Sequence, residues 1–428
     1  MVGNMDKSWF DFCRFGLFIH FGLYSLPARH EWVKYYEKIS DEEYYKYFNM
    51  FNPDLFDPYE WADIAFDGGM RYFVITTKHH EGFCLWDSAL TDYKVTNTPY
   101  GKDIIKPLVS AFREKGFKVG LYYSLQDWHH PHYTIDHIHP LRDLPKEEAC
   151  KENSKRNLSV YREYLHGQVK ELMTSFGEIN EVWFDNSVKY NPDYPYFEGK
   201  GREAWGTEEL IKIIRNYQPN ILINDRLDGE FDFKCPETYM PDECVKVKGQ
   251  KVRWEVCQSL NNSWGYYRNC SGYKSPHQLI SLLAEAVSKG GNLLLNIGPT
   301  GRGEFESKAK ESLKALGKWM HNNSDCIYGC TEAPSEFSVI NNILTYNPKT
   351  NRLYIILINY PNIGTLKIKG DKRRVEYAAF LGDNSEITIK TQNQTFEKMK
   401  DDTIYLNIPV DKPKDEVPVV ELFLKDRF

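Results

Sequence analysis

The spacing of hydrophobic residues divides the chain into two parts. Up to about residue 330, short runs that are apolar at nearly every position alternate with longer stretches of helical periodicity. A run that is apolar throughout is typical of a strand buried on both faces, and apolar positions three or four residues apart are typical of an amphipathic helix. The predicted strands are residues 15–22, 72–78, 118–124, 181–186, 221–225, 252–259 and 292–299, and the predicted helices are residues 57–69, 104–115, 157–176, 207–217 and 276–289.

Strands that alternate with helices predict a parallel sheet with helical crossovers. Beside the clear strands, residues 235–240 form a weaker eighth candidate, and a last helix is predicted at residues 307–321. Eight strands favour a closed α/β fold of the TIM type, a (β/α)8 barrel. An open doubly wound sheet remains the alternative.

The pattern changes after residue 330 to an alternation of apolar and polar positions. This period of two is typical of antiparallel strands with one solvated face. The predicted strands are residues 337–346, 352–359, 365–369, 375–380, 385–390, 403–408 and 419–424. We therefore predict a barrel domain at residues 1–330 and a C-terminal antiparallel β-sandwich at residues 331–428.

Composition and charge exclude several classes of protein. The 428 residues have a formal net charge of -6 and show no basic stripe typical of a nucleic-acid binder. No apolar run reaches the roughly 18 residues that a membrane helix needs, so we expect neither nucleic acid nor a membrane as a partner, and a homo-oligomer stays open. The aromatic share of 15% suits a sugar-binding cleft, because aromatic rings pack on the apolar faces of pyranoses.

The cysteines and the first residues bear on localisation. The start, MVGNMDKSWFDFCRF, has neither the apolar core nor the cleavage pattern of a secretory signal. Nine cysteines, without the spacing of a disulfide framework, indicate reduced thiols. We expect a cytoplasmic protein, with a secreted form trimmed of its signal as the alternative.

Polar and aromatic side chains follow most of the predicted strands. The segments are FIHFG, KHHEGF, YYS, WFDN and NDR, in strand order. In a (β/α)8 barrel the working residues lie at the C-terminal ends of the strands, so these side chains would meet at one rim. The sequence therefore predicts a polar pocket that is rich in histidine and carboxylates.

Asp185 follows the apolar residues 182–184 and would point into the barrel mouth. It could cap the next helix or anchor a loop, or it could act as a carboxylate nucleophile. Arg226, which follows the neighbouring strand, could keep the carboxylate ionised through charge-assisted hydrogen bonds. We favour the nucleophile.

A glycosidase needs a second carboxyl group across the glycosidic bond. The downstream candidates are Glu237, Asp242, Glu243 and Glu255. Glu237 follows a proline in a predicted loop, where an acid could turn toward the substrate, whereas Glu255 lies in a strand-like run, where it could be buried with a partner. Spacing alone does not choose between these two glutamates.

The histidines form two groups. His20, His79 and His80 follow adjacent strands; each alone could be structural, but together they indicate recognition of sugar hydroxyl groups, because imidazole both donates and accepts hydrogen bonds. The histidine-rich stretch 129–139 lacks the spacing of a zinc helix and contains prolines, so we expect a loop near the pocket and no metal site. A metal-dependent barrel hydrolase is the competing hypothesis.

Nine motifs in order resemble the family-29 glycoside hydrolases, the retaining α-L-fucosidases. The motifs span roughly residues 8 to 325 and are FGLFIHFG, HEW, KHHEGFCLWDS, GLYYSLQDW, EVWFDN, INDR, RWEVCQS, NSWGYYRN and SKGGNLLLNIGPTGRGEF. The region after about residue 330 resembles the family's C-terminal β-sandwich in position and length. The resemblance implies an exo-acting retaining enzyme that removes terminal α-linked L-fucose from fucosylated oligosaccharides or glycoconjugates by double displacement, without a cofactor.

The resemblance also implies roles for individual residues. Asp185 lies at the position of the nucleophile, and the segment 232–237, DFKCPE, is similar to a form that points to Glu237 as the acid/base, with Glu255 in reserve. The substrate-binding residues that it implies are His20, Glu31, Trp32, His79, His80, Tyr122, Arg226 and Trp264, the last of which would pack on the methyl group at C6.

Two further hypotheses stay open beside the metal-dependent hydrolase. One is a non-catalytic barrel that binds fucose, which would show affinity without turnover. The other is an exo-glycosidase for galactose of the same stereochemical series, because a methyl group and a hydroxymethyl group differ by only about 1 to 3 kcal/mol in an apolar pocket.

Overall fold

A computed structural model of the chain describes residues 7–391 and 399–428. Residues 1–6, which are part of the start on which the prediction of no secretory signal rests, lie outside the described residues. No helix in the described parts of the chain is both long and apolar enough to cross a membrane.

Eight parallel strands form a nearly closed barrel, which confirms the predicted fold class. The strands are β1 Phe15–Ile19, β2 Tyr72–Lys78, β3 Lys118–Ser124, β4 Glu181–Asp185, β5 Leu222–Ile223, β6 Phe233–Lys234, β7 Arg253–Ser259 and β8 Asn292–Ile297. Their order around the sheet is β5-β4-β3-β2-β1-β8-β7-β6. The ring is completed between β5 and β6 by the single parallel bridge of Asn224 with Phe233.

Helices cover the outside of the barrel at six of the eight positions where a regular (β/α)8 barrel has them. Their bounds are Ser8–Cys13, Val33–Tyr36, Asp41–Met50, Pro58–Asp67, Ile105–Glu114, Lys146–Asn153, Leu158–Ser175, Arg202–Trp205, Thr207–Tyr217, Pro276–Ser288 and Ser307–Asn323. No α-helix lies between β5 and β6, where the connection is too short for one, or between β6 and β7, where a small hairpin of Lys246–Val247 and Gln250–Lys251 stands instead.

The helices begin where the local chemistry predicts. Asp57 accepts hydrogen bonds from the backbone N–H groups of the first turn of Pro58–Asp67, and Ser275 forms a capping box with Gln278 at the start of Pro276–Ser288. Such caps satisfy backbone donors that a helix start leaves unpaired. The crossovers are thereby anchored against the barrel.

The eighth strand lies earlier than predicted. Residues 235–240 were expected to form it, but the paired residues are Phe233 and Lys234. Pro236 has no N–H group to continue the ladder, and Thr238 has a positive φ of 63° that turns the chain. Between them, Glu237 keeps one isolated parallel bridge to Cys257 of β7, which holds it at the rim.

The C-terminal part consists of two antiparallel sheets, as predicted. Its strands are β9 Thr331–Glu332, β10 Ser338–Val339, β11 Ile343–Asn347, β12 Arg352–Ile356, β13 Thr365–Lys369, β14 Val375–Phe380, β15 Thr388–Ile389, β16 Thr403–Asn407 and β17 Val419–Leu424. One sheet has the order β9-β11-β12-β17-β14 and the other β10-β13-β16-β15. The single strand predicted at 337–346 is wrong, because a turn at Asn341, with a φ of 57°, divides it between the two sheets.

The sandwich packs on the barrel through a shared apolar contact. Trp319 of the last helix donates its indole N–H to the Val417 carbonyl at 2.7 Å, and Tyr354, Ile356 and Val419 belong to the same buried cluster as the barrel core. The inner faces of the two sheets form a separate core. A domain boundary at residue 330 stays a prediction.

Candidate active site

A pocket opens at the C-terminal ends of the barrel strands. It has about 410 Å³ of empty volume, part of it open to solvent. Its walls come from at least six strands or the loops that follow them. The lining residues are Phe18, His20, Trp32, His79, His80, Tyr122, Trp183, Asp185, Asn186, Glu237, Cys257 and Trp264.

Asp185 is the last residue of β4 and its carboxylate is held by two donors. Tyr122 donates its hydroxyl to Oδ2 at 2.9 Å, and Arg226 donates Nη1–H to Oδ1 at 3.2 Å. Burial raises the pKa of Asp185 above its ordinary value and Glu237 adds to this, while Arg226 and the Tyr122 hydrogen bond oppose it. The carboxylate is 15% exposed, so it faces the pocket from a fixed position.

Arg226 connects the two acidic residues of the pocket. Its Nη2–H donates to Glu237 Oε2 at 2.8 Å and to the Cys235 carbonyl at 3.2 Å, while Nη1 contacts Asp185. Burial would lower the pKa of Arg226, but the two carboxylates raise it above its ordinary value, so the guanidinium stays charged. The Glu237 side chain is 38% exposed and thus lies at the mouth, above the more buried Asp185.

His20 presents an acceptor nitrogen to the pocket. Its Nδ1 lies 2.6 Å from Asn296 Oδ1, and the Asn296 amide is oriented by Nδ2, which donates to the Trp264 carbonyl at 2.7 Å. Burial lowers the pKa of His20 well below its ordinary value, so the ring is neutral near pH 7. Because Nδ1 must then donate to the amide oxygen, Nε2 is the acceptor that remains for a ligand hydroxyl.

His80 is oriented in the same way from the other side. The Ser124 hydroxyl donates to the Gln126 carbonyl at 2.8 Å, so His80 Nδ1–H donates to Ser124 Oγ at 2.6 Å. Burial lowers the pKa of His80 well below its ordinary value. Its Nε2 accepts from Asn186 Nδ2 at 3.0 Å and lies 3.8 Å from Asp185 Oδ2, which makes His80 a neutral neighbour of the carboxylate.

Aromatic rings complete the walls. The His79 ring is stacked on Tyr122 at 5.7 Å and 12°, and Trp32 packs edge-on against His80 at 4.8 Å. On the opposite side, the Trp264 ring lies 5.4 Å from His20 and 6.2 Å from Phe18. The pocket therefore combines hydrogen-bonding nitrogens with apolar ring faces, which suits a sugar.

Glu31 lies behind the wall and does not line the pocket. Its Oε2 accepts from the Gly265 N–H at 2.7 Å, next to Trp264, and its Oε1 has no hydrogen-bond partner in the described chain. The predicted substrate contact of Glu31 stays a prediction. In this structure its visible contact holds the loop that carries Trp264.

Of the four candidate acids, Glu237 is the one that lines the pocket. Glu255 is buried inside the barrel, where it accepts hydrogen bonds from Tyr72 and Trp183. Asp242 is exposed, and Glu243 pairs with Lys246 at 2.6 Å on the surface. The geometry therefore places Glu237, but not Glu255, within reach of a substrate beside Asp185.

The sequence reasoning missed four pocket residues. Phe18, Trp183, Asn186 and Cys257 line the pocket but were taken as parts of strands or not considered. Phe18 and Trp183 alternate with the outward-facing residues of β1 and β4, so the two-residue period of a strand could have found them. Cys257 carried no such signal, because its apolar run is buried on both faces.

The histidine-rich stretch disperses its side chains. His129 stacks on Tyr93 at 3.9 Å, His130 packs on Tyr164 at 4.5 Å, and His139 lies against Tyr133. Within residues 7–391 and 399–428, no group of three or more His, Cys, Asp or Glu side chains is placed to hold a metal ion. These rings pack the loop after β3 beside the pocket.

A buried ion pair supports this loop. Lys78 Nζ lies 3.0 Å from Asp127 Oδ2, and the two side chains are 0% and 2% exposed. Asp127 Oδ1 also accepts from the backbone N–H groups of His129 and His130. Burial would raise the pKa of Asp127, but Lys78 and His130 outweigh it and hold the pKa below its ordinary value. The pair thus joins the end of β2, before His79, to the loop after β3.

We predict that Asp127→Leu lowers the free energy of unfolding by about 3–5 kcal/mol, because Lys78 would remain buried without its counter-charge. The double variant Lys78→Met/Asp127→Leu should recover much of this loss. Urea denaturation measures both. Glu152→Gln is the control, since its pair with Lys155 is exposed and should contribute less than about 1 kcal/mol. A loss for Asp127→Leu no larger than the control's would contradict the prediction.

The sequence and the structure were compared with those of known proteins. The family described as Alpha-L-fucosidase matches residues 3–325. The chain is 29% identical to an alpha-L-fucosidase of Dictyostelium discoideum over 97% of this chain and 91% of that protein. It is 30% identical to the plasma alpha-L-fucosidase of Homo sapiens over 84% of this chain and 77% of that protein.

Solved structures give the same result. Alpha-L-fucosidase isoenzyme 1 from Paenibacillus thiaminolyticus superposes with a TM-score of 0.89 at 42% identity and covers 98% of both chains. An alpha-L-fucosidase GH29 from Bacteroides thetaiotaomicron superposes with a TM-score of 0.83 at 30% identity, over 99% of this chain and 95% of that one. Together with the pocket and the barrel that carries it, these matches show that the chain belongs to the alpha-L-fucosidase family, glycoside hydrolase family 29, and is a glycoside hydrolase.

Proposed function

We propose that this protein is an exo-acting, retaining α-L-fucosidase that releases terminal α-linked L-fucose from fucosylated oligosaccharides or glycoconjugates. The observation that carries the proposal is the arrangement of two carboxyl groups, Asp185 and Glu237, on one guanidinium at the mouth of a sugar-sized pocket. A related alpha-L-fucosidase GH29 from Bacteroides thetaiotaomicron has been trapped as a covalent intermediate with 2-fluoro-fucosyl fluoride, which supports the same route here.

In the first step, the Asp185 carboxylate attacks the anomeric carbon and forms a glycosyl ester. The bond from that carbon to the leaving-group oxygen breaks, and Glu237 gives its proton to this oxygen. Tyr122 and Arg226 orient the attacking carboxylate, because they occupy one side of each of its oxygens. Pre-organisation of this kind lowers the entropic part of the barrier.

In the second step, Glu237, now a carboxylate, takes a proton from water while the water oxygen attacks the anomeric carbon. The bond to Asp185 breaks and the free carboxylate returns. Each step inverts the configuration, so the product keeps that of the substrate. Arg226 contacts both acids, so it stays beside the one that is charged at each stage.

The walls suit the recognition of a single terminal sugar. Acceptor nitrogens such as His20 Nε2 can take hydrogen bonds from ring hydroxyls, and a pocket that is closed below by Trp183 and Phe18 leaves no room for the chain to continue past that sugar. The apolar face formed by Phe18 and Trp264 fits a methyl group at C5 of the ring. These features favour fucose and an exo mode of action.

Hydrolysis of 4-nitrophenyl α-L-fucoside, followed by NMR from the first seconds, tests the proposal. We expect nitrophenol release and α-L-fucose as the first anomer. The β anomer first would show inversion and overturn the mechanism, and fucose affinity without nitrophenol release would favour a binding protein. Loss of turnover with a chelator would favour the metal-dependent hydrolase. Faster hydrolysis of the corresponding α-L-galactoside would shift the substrate assignment to galactose.

A further inference from the structure

Both hydrogen-bond donors of Asp185 rest on the same aromatic ring. The Trp183 indole is stacked on the Tyr122 ring, with centroids 5.8 Å apart and an interplanar angle of 18°. The guanidinium carbon of Arg226 lies 5.2 Å from the indole centroid. Since Tyr122 and Arg226 hold the two oxygens of Asp185, the position of the indole sets the position of both donors.

The indole is fixed from below by Glu255. The Trp183 side chain has one polar group, Nε1–H, and it donates to Glu255 Oε1 at 3.3 Å. The hydroxyl of Tyr72 donates to the other oxygen, Oε2, at 2.5 Å. Trp183 is 2% exposed and Glu255 0%, so each bond is made in a dry interior where losing a partner is costly. Glu255 therefore connects β2, β4 and β7 directly beneath the pocket floor.

A second buried acid lies nearby but makes none of these contacts. Glu181 begins β4, is 0% exposed, and its two carboxyl oxygens have no hydrogen-bond partner among the residues that the structure describes. Burial raises the pKa of Glu181 well above its ordinary value, with a contribution from Glu255, and burial raises the pKa of Glu255 to about 7. Glu181 is therefore a neutral acid in the same environment, without a bond to the indole.

We propose that Glu255 is a positioning residue for the nucleophile. Its hydrogen bond to Trp183 fixes the ring that supports Tyr122 and Arg226, and through them the orientation of the Asp185 carboxylate. This inference rests on the proposed function, because it assigns Glu255 an effect on the step in which Asp185 attacks. It also explains how a glutamate that does not line the pocket can matter to turnover.

Three variants test the inference. Glu255→Gln replaces an acceptor oxygen by an amide, Trp183→Phe removes the indole N–H but keeps an aromatic ring, and Glu181→Gln makes the same chemical change in the same interior without touching the indole. With 4-nitrophenyl α-L-fucoside, we expect Glu255→Gln and Trp183→Phe each to lower kcat about 10- to 100-fold, the scale of a misplaced catalytic group, with KM nearly unchanged. Glu181→Gln should keep the wild-type kcat.

The double variant Glu255→Gln/Trp183→Phe separates positioning from general loss of packing. Because both changes remove the same hydrogen bond, the double variant should lose little more than the more affected single variant. Circular dichroism confirms that each variant folds. Fully additive losses, or a wild-type kcat in either single variant, would overturn the inference while leaving the proposed function in place.

Two further outcomes are decisive. If azide restores the turnover of Glu255→Gln, Glu255 acts on the leaving group or on water itself and is not a positioning residue. If the wild-type protein releases no nitrophenol, the proposed function fails and the inference fails with it. The wild-type measurement therefore distinguishes the two failures.

Discussion

Replacing Asp185 by glycine is expected to lower the turnover of an aryl α-L-fucoside about 1,000-fold or more. The reason is that covalent catalysis loses its nucleophile, while the pocket and the acid beside it remain. Asp185 is partly exposed at the end of β4, so its removal leaves a gap at the pocket wall and no unpaired charge in the core except that of Arg226, which keeps its contact with Glu237. Steady-state kinetics measure the loss.

Azide identifies the missing group. The space left by Asp185→Gly is large enough for a small anion on the face where the carboxylate stood, so azide should restore turnover and give β-L-fucosyl azide, the product of a single inversion. Asp185→Asn is the matched control: the amide keeps the volume and a hydrogen bond to Tyr122 or Arg226, and azide should restore little. Wild-type turnover in either variant would refute Asp185 as the nucleophile.

Much of the barrel could be predicted because its strands are short and buried on both faces, as the sequence of β2 and β8 shows plainly. Strands of two residues carry no such pattern. The eighth strand was misplaced because Phe233 and Lys234 are too few to show a period, and the pairing of Glu237 with Cys257 depends on the neighbouring strand. The missing helices on either side of β6 follow from loop lengths that a strand–helix repeat does not reveal.

The nucleophile could be located from the sequence, but the choice between the two glutamates could not. Asp185 ends an apolar run, which places it at the rim. Glu255 also lies in such a run, but four residues before its end at Ser259, or about 13 Å down the strand at 3.3 Å per residue. That distance is enough to take Glu255 out of the pocket, although its neighbours in sequence look much like those of a catalytic residue.

The polarity of the pocket depends on contacts between distant parts of the chain. The acceptor role of His20 is set by Asn296 and the backbone of Trp264, and that of His80 by Ser124. The motif residues around each histidine are visible in the sequence, whereas the hydrogen-bond direction is fixed only by the partner that the fold supplies. For the same reason the sharing of Arg226 between two acids could not be foreseen from spacing.

Replacing Glu237 by alanine is expected to make hydrolysis depend strongly on the leaving group. With a poor leaving group such as a sugar alcohol, kcat/KM should fall about 100- to 10,000-fold, because proton donation to the departing oxygen is lost. With 2,4-dinitrophenolate, which departs without a proton, kcat/KM should stay near that of the wild type. The kcat should still fall, since the second step lacks its base and the glycosyl ester on Asp185 accumulates.

Azide and the buried glutamate complete this test. Azide needs no base, so it should attack the accumulated ester, raise kcat for the dinitrophenyl substrate and give α-L-fucosyl azide, the product of two inversions. Glu255→Gln is the matched control, because that carboxyl is 0% exposed beneath the floor: its loss should be the same for both leaving groups and should not respond to azide. A uniform, azide-insensitive loss in Glu237→Ala would remove Glu237 as the acid/base, whereas the contrasting response expected here follows from its half-exposed position on the far side of Arg226 from Asp185.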